Sequence, residues 1–548
     1  MNPGIVPPQV NLLKTATEKI AGKGFELKTL RRAGVIGGLG PTALPLAGSA
    51  FLRGGTTPAT AIRIAALKHR DKIYLDDEKG SLTFLEVHRR SNALARAFAG
   101  LGIGPGDGVA VMCRNHRGFV EANLAGWKLG ATVILLNTMF SGPQLADVVE
   151  REGAKLVVLD QEFEDLLAGV PAGVERVCGF ESGPGASELP SLDDLIAAND
   201  DSDLPWPAEK GRNIILTSGT TGTPKGAQRP APSGLSVLVG MLDRIPHFEN
   251  EKIVMAAPLF HSWGYLNSVI GTSVGARLIL QHRFDPAGTM ELVDRFDADV
   301  LVAVPVMLQR ILELDPEVGG KFRARNLKIV TLSGSALPGG LATAWMDRYG
   351  DNVYNFYGST EVAMGSIATP EDLRADPATA GRPPYGTSVK LVDEHGREVP
   401  QGETGRIFIK NEMTFDGYTG GGGKEDLDGY LASGDIGHFD VDGRLFIDGR
   451  DDEMIVSGGE NVYPAEVEDL IAGHDEVVEA AVVGVDDDKF GQALRAYVVL
   501  REKDALDKEA VREFVKANLA SYKAPRDVIF LPELPRNATG KILKKDLA

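Results

Sequence analysis

A chain of 548 residues is too long for one hydrophobic core and predicts about three or four units. Its formal charge is −18 with no basic stripe carrying interleaved aromatics, which argues against a nucleic-acid partner; a polyanionic substrate would need a local cationic site. The cysteines, Cys113 and Cys178, lie outside any CxxC and without a histidine at ligand spacing, which argues against a disulfide framework or a zinc centre and fits a reducing, cytoplasmic setting.

Val10–Arg32 carries six basic and two acidic side chains, with Leu12, Leu13, Ala16, Ile20 and Leu27 at roughly helical spacing. Ala33–Leu52 has no charge, but five glycines and two prolines make it a poor helix and a poor membrane span. The polar stretch ahead of it is too long for a signal peptide. Residues 1–56 are therefore expected to be an ordered extension packed on the main domain, with peripheral membrane contact as the alternative.

From Thr57 the chain reads as α/β. Helical periodicity over Leu85–Leu101 alternates with short apolar runs at Val109–Met112, Val133–Leu136 and Lys155–Leu159. The alternation continues through Ile253–Ala257, Arg277–Leu280, Val300–Val304 and Lys328–Leu332, which predicts doubly wound parallel sheets. After Ala380 the character changes: Val389–Val392, Gly405–Lys410 and Arg444–Ile447 read as strands between glycine turns, a smaller β unit over about 381–450. Residues 451–548 read as a compact α+β domain. It has a helix opened by Pro464, strands at Val477–Val485 and Leu494–Leu500, a helix near Asp507–Leu519 and a strand at Val528–Leu531. The expected fold class is thus α/β: a large domain over 57–450, of two doubly wound sheets plus the β unit, followed by the small domain.

The densest chemistry lies in Leu216-Thr-Ser-Gly-Thr-Thr-Gly-Thr-Pro-Lys-Gly226, which follows a predicted strand over Asn213–Leu216. Gly219 and Gly222 allow backbone N–H groups to approach a polyanion, Thr217, Ser218, Thr220 and Thr221 add hydroxyl donors, and Lys225 adds positive charge. No GxxxxGK[ST] occurs, so this is not the common P-loop.

This segment resembles the phosphate-binding motif of the adenylate-forming superfamily, which includes acyl-CoA synthetases, luciferases and peptide-synthetase adenylation domains. The resemblance runs from about Thr57 to the C-terminus, with further motifs in the expected order. It implies that Gly334, Ser335 and Ala336 of Ser333-Gly-Ser-Ala-Leu-Pro338 lie beside adenine. In Tyr357-Gly-Ser-Thr-Glu361, with Gly358 at its turn, it implies that Tyr357 stacks on adenine, Thr360 meets the α-phosphate and Glu361, with Thr220, holds Mg²⁺. Asp435 and Arg450 are implied as ribose contacts, and His261 of Pro258-Leu-Phe-His261 as the gate of an acyl pocket shaped with Trp263 and Gly264. Lys541 of Pro535-Arg-Asn-Ala-Thr-Gly-Lys541 is implied as the catalytic lysine. Asp452 is implied as the hinge of a mobile C-terminal lid, and Ser457, Gly458, Gly459 and Glu460 as the face that meets coenzyme A.

The implied activity converts ATP and a carboxylic acid to acyl-AMP and pyrophosphate, then transfers the acyl group to CoA. The Ser457–Pro464 run looks closest to medium- and long-chain fatty acyl-CoA synthetases, so a fatty acid is the expected substrate; an aryl-CoA ligase or an acyl-AMP ligase loading a carrier protein is the alternative. A homodimer is left open. Three features are set apart. Tyr418–Lys424 is short and glycine-rich where family members often carry a longer segment, and is expected not to touch the adenylate site. Gly271-Thr-Ser-Val-Gly275 matches GxSxG, but a strand-like run follows it rather than a helix, so a serine hydrolase is not expected. An amino-acid-activating module would want an acid near His261, and a silent nucleotide binder would lack Lys541 or Glu361; neither description fits.

Overall fold

The computed structural model describes residues 22–182, 185–216, 225–228, 234–453, 455–457, 460–487, 491–537 and 540–547, and among them the strands form four sheets. The first sheet orders Ser366–Ala368, Val353–Tyr357, Ile329–Leu332, Val300–Ala303, Lys252–Met255, Arg277–Leu280, Ile73–Asp77 and Gly80–Thr83. Its inner strands run parallel and its two edge strands antiparallel. The second orders Gly417–Tyr418, Gly226–Gln228, Arg212–Leu216, Thr132–Leu135, Gly108–Met112, Ala154–Leu159 and Glu175–Cys178, parallel except at the first two strands. The short Val/Ile/Leu runs explain this arrangement. Val300–Ala303 and Ile329–Leu332 are buried throughout, as strands covered by helices on both faces must be.

In parallel sheets the loops that leave the carboxyl ends of the strands gather on one side. Here Leu216, Lys225 and the segments after Met255, Leu332 and Tyr357 all reach one cavity. A third, antiparallel sheet of Ser388–Val392, Gly405–Lys410, Tyr430–Phe439, Asp426–Leu427 and Leu445–Arg450 closes that side. The fourth sheet belongs to the C-terminal unit, where Val477–Asp487 pairs with Gly491–Leu500 and helices Pro464–Ala472 and Lys508–Asn518 pack together over a separate core of Val467, Ile471, Val511 and Val515.

The extension departs from its expected local structure. Helices occupy 22–32 and Ala43–Gly54, although Ala33–Leu52 reads as a poor helix former. The breakers explain the difference. Gly34, Gly37, Gly38, Gly40 and Pro41 all precede the second helix, and Pro45 sits in its first turn, where a backbone N–H has no intrahelical acceptor to lose. The segment is docked on the large domain. Leu30 and Ala33 are buried, Phe25 lies 4.9 Å from the Tyr385 ring, and Arg32 donates to the Leu242 carbonyl. Among the described residues no helix is long and apolar enough to cross a membrane.

Candidate active site

A continuous cavity of about 2080 Å³ runs from the C-terminal unit, through the loops at the strand ends, to the N-terminal extension. At one end, Tyr430–Phe439 and Leu445–Arg450 pair so that Asp435 faces Arg450 across the ladder. Arg450 Nη1 donates to Asp435 Oδ1 (3.2 Å), and Tyr357 Oη donates to Asp435 Oδ2 (2.6 Å). Burial pushes the Asp435 carboxyl up and the Tyr357 phenol well up, while Arg450 and the Tyr357 hydroxyl pull the carboxyl back down. Each carboxylate oxygen keeps acceptor capacity beyond these bonds. Gly334, Ser335, Ala336 and Gly358 line the same end, on turns that follow the strands Ile329–Leu332 and Val353–Tyr357.

Thr360 and Glu361 come next along the cavity. Ser359 Oγ donates to Glu361 Oε2 and Tyr418 Oη to Glu361 Oε1, each at 2.9 Å. Lys225 Nζ lies 5.4 Å from the centre of the Tyr418 ring, within cation–π range. This corrects the expectation for the glycine-rich stretch: Tyr418 touches the site directly, and Lys424 lines the cavity. The physical cause is strand pairing. Gly417–Tyr418 is the edge strand beside Gly226–Gln228, so it is held against the segment that leaves the phosphate loop. An aromatic and a lysine flanking a glycine run was the available signal. Thr217, Ser218, Gly219, Thr220, Thr221 and Gly222 lie outside the described residues.

Lys541 reaches the cavity from the C-terminal unit. Its loop is a tight reverse turn: Lys541 N–H donates to Asn537 Oδ1 (2.9 Å) and Gly540 N–H to the Asn537 carbonyl (2.9 Å). Arg536 anchors the turn by donating to the Gly540 carbonyl (2.5 Å) and pairing with Glu479. Gly540 has φ +79°, and a Cβ there would lie 2.5 Å from Val306 Cγ1, so the loop is seated directly on the large domain. Lys544 bonds Glu453 (2.7 Å) and Glu468 (2.9 Å), tying the loop's far side to the turn Asp451–Glu453 that contains Asp452. Ser457 pairs with Glu460 across a hairpin, and Gly458 and Gly459 lie outside the described residues.

Around His261 the cavity is lined by Phe260, Trp263, Leu266, Val269 and Ile270. His261 caps the helix Ser262–Val274 and accepts from the Trp263 N–H (3.5 Å); burial holds its pKa down to about 4, so it is a neutral imidazole. Trp263 is 2% exposed, with Nε1 on the Ala303 carbonyl (3.2 Å) and its ring 4.9 Å from Phe356. Gly264 does not line the cavity. A Cβ there would lie 2.2 Å from the Pro258 carbonyl oxygen, so its role is to let the helix pack on that loop.

Two further sequence features can be placed. The GxSxG segment sits at the end of the helix Ser262–Val274, where Ser273 Oγ bonds the Val269 carbonyl (2.8 Å). Cys113 does have a histidine close by: its sulfur, His116 and Asp160 lie within 4.8 Å of one another. Both His116 nitrogens are already engaged, however, Nε2 with Asp160 (2.8 Å) and Nδ1 by the Gly118 N–H (3.0 Å), which makes this a buried structural pair rather than a ligand set.

Residues 62–419 match the AMP-binding enzyme family, and residues 466–541 match the AMP-binding enzyme C-terminal domain. The chain belongs to this family, within the adenylate-forming superfamily, and is an AMP-forming acid–thiol ligase. The 2-succinylbenzoate–CoA ligase of Geobacillus kaustophilus (strain HTA426) is 32% identical over 90% of this chain and 98% of its own length. The feruloyl-CoA synthase of Amycolatopsis sp is 31% identical over 85% of this chain and 93% of its own. The solved o-succinylbenzoate CoA synthetase from Bacillus subtilis, in complex with its acyl-adenylate intermediate, shares the fold with a TM-score of 0.77 at 27% identity, covering 89% of this chain and 97% of that one. These three are named for aromatic acids rather than fatty acids.

Proposed function

We propose that this enzyme activates a medium- or long-chain fatty acid as its acyl-adenylate and transfers the acyl group to CoA. The carrying observation is that one cavity takes in the Asp435–Tyr357–Arg450 cluster, Lys541, His261 and a large set of apolar side chains. Asp435 accepts from the ribose hydroxyls and is held in place by Arg450, while Tyr357 and Gly334–Ala336 flank the adenine. Thr360, Lys225 and the loop Thr217–Gly222 hold the phosphates. Glu361, fixed by Ser359 and Tyr418, offers a hard carboxylate with spare lone pairs, which suits Mg²⁺ bound mainly through substrate phosphates; with Thr220 it would hold the ion, which neutralises phosphate charge.

In the first half-reaction a carboxylate oxygen attacks the α-phosphorus and pyrophosphate leaves. Lys541 would neutralise charge on both reacting groups, and positioning would supply most of the rest. Neutral His261 lines the path without competing as a cation for the carboxylate. In the second half-reaction the CoA thiol attacks the acyl carbon and AMP leaves. Lys541 must withdraw for this step; rotation about Asp452 would remove it and bring Ser457–Glu460 to the acyl carbon.

A second reading, an aryl acid as substrate, is favoured by the names of the relatives. Pyrophosphate and acyl-CoA release, measured with ATP, Mg²⁺, CoA and acids from acetate to palmitate plus benzoate and coumarate, tests both. Acyl-CoA formation peaking on a fatty acid supports the first reading, and a peak on an aryl acid supports the second. Pyrophosphate release with no acyl-CoA overturns CoA as the acceptor.

A further inference from the structure

The far wall of the acid tunnel is not made by the family domain. The AMP-binding match begins at residue 62, yet Val35, Ile36, Leu39, Leu44, Ala47 and Phe51 all line the cavity that also holds His261 and Lys541. Three layers of helix stack outward from the reaction centre. Ser262–Val274, capped by His261, packs on Pro58–His69, which packs on Ala43–Gly54. On the outermost helix, Leu44, Ala47, Gly48 and Phe51 recur at helical spacing and form one stripe toward the cavity. The only charged side chain of that helix, Arg53, does not line it.

We propose that residues 35–51 form the distal tail subsite for the acid substrate, whose apolar chain passes His261 and ends against this stripe. This rests on the reading of the enzyme as a fatty acyl-CoA synthetase and deepens it, because it calls for a tail long enough to leave the family domain. The polar groups nearby do not oppose an apolar occupant. Lys68 pairs with Glu249 (3.0 Å) and donates to the Gly34 carbonyl, and His69 is buried and held neutral, with a pKa of about 4. The stripe also has surface left to cover: Ala47 is 6% exposed, but Leu44 is 61% and Phe51 40% exposed at the rim. A tail lying on them removes apolar area from water on both partners. The cavity volume, about 2080 Å³, is roughly twice the upper end of ordinary ligand pockets, as a site for a nucleotide and a long acid together requires.

Gly48→Phe tests the proposal. A Cβ at Gly48 meets no atom within 4 Å, and replacing a glycine inside a helix favours the helix, so the fold is not threatened. The added ring is expected to weaken binding of the fluorescent long-chain acid cis-parinarate about tenfold, and to lower the ratio of kcat/KM for palmitate over butyrate by a similar factor. Phe51→Ala should lower the same ratio in a protein of parental melting temperature. An unchanged ratio in both variants, or no parinarate binding by the parent, overturns the proposal. If the chain's own first 21 residues covered the stripe instead, Gly48→Phe would lower the melting temperature and leave the ratio unchanged, which also overturns it. Parinarate titration involves no turnover. Binding that is sensitive to Gly48→Phe in a protein that forms no acyl-CoA would therefore sink the ligase reading and keep the tail subsite.

Discussion

At the nucleotide end of the cavity, polar side chains meet in specific pairs: Asp435 with Arg450 and Tyr357, Glu361 with Ser359 and Tyr418, Lys541's turn with Asn537. At the other end the polar groups, such as Lys68 with Glu249 and Trp263 with the Ala303 carbonyl, hold the wall together, and that wall is a surface assembled from three stacked helices. The first end fixes a few atoms to hydrogen-bond precision because charge moves there. The second sets mainly volume and polarity, which is all that an apolar wall can select by. Substitutions should therefore act on rate at one end, and on substrate preference or packing at the other.

The largest effect should come from Lys541→Ala, which is expected to lower pyrophosphate release by roughly 10²–10³ while CoA acylation from supplied acyl-AMP falls far less. Equal loss in both half-reactions would break the assignment of Lys541 to adenylation. At the acid end, Gly264→Ala should act through packing, since its methyl must displace the Pro258 carbonyl. A destabilisation of about 1–3 kcal/mol is expected, read as a lower denaturation midpoint; a neutral result would mean that the helix can shift away from the loop. Tyr418→Phe keeps the ring under Lys225 but removes one donor to Glu361, and should lower kcat about tenfold with little change in melting temperature. The smallest effect concerns pH. His69 and His261 are held to a pKa of about 4, below the ordinary value near 6.5. Between these values the unfolded chain binds protons that the folded chain refuses, so both contribute stability that is lost as pH falls from about 6.5 toward 4. Asp469, raised to about 6 by burial, acts in the opposite direction over part of that window. Calorimetry should show His261→Gln flattening the acid limb, and the mutant's kcat/KM profile should run parallel to the parent's between about pH 5 and 8.

The described residues of the nucleotide end stand on short contiguous runs, Ser333–Pro338 and Tyr357–Glu361 at strand ends and Ser433–Asp435 inside the strand Tyr430–Phe439, which is why a sequence motif can single them out. Tyr418 was missed because its relation to Glu361 depends on which strand it pairs with, and that pairing crosses nearly 190 residues of chain. Gly264 was given to the pocket because it follows His261 and Trp263, but a helix turns each successive residue by about 100°, which places Gly264 against Pro258 instead. Cys113 and His116 were read as unrelated to any site although they stand three apart; their geometry became visible only with Asp160 from the next strand in the sheet.

By itself the sequence determined the α/β alternation, the strand-end motifs and the charge logic of a local cationic site in an acidic chain, because these follow from periodicity and from residue types at fixed spacing. Only the tertiary structure decided that the helix Ala43–Gly54 forms, which loop supports Glu361, and that residues ahead of the family domain line the same cavity as His261 and Lys541. Those outcomes depend on surfaces meeting across hundreds of residues, and no local pattern encodes which surfaces will meet.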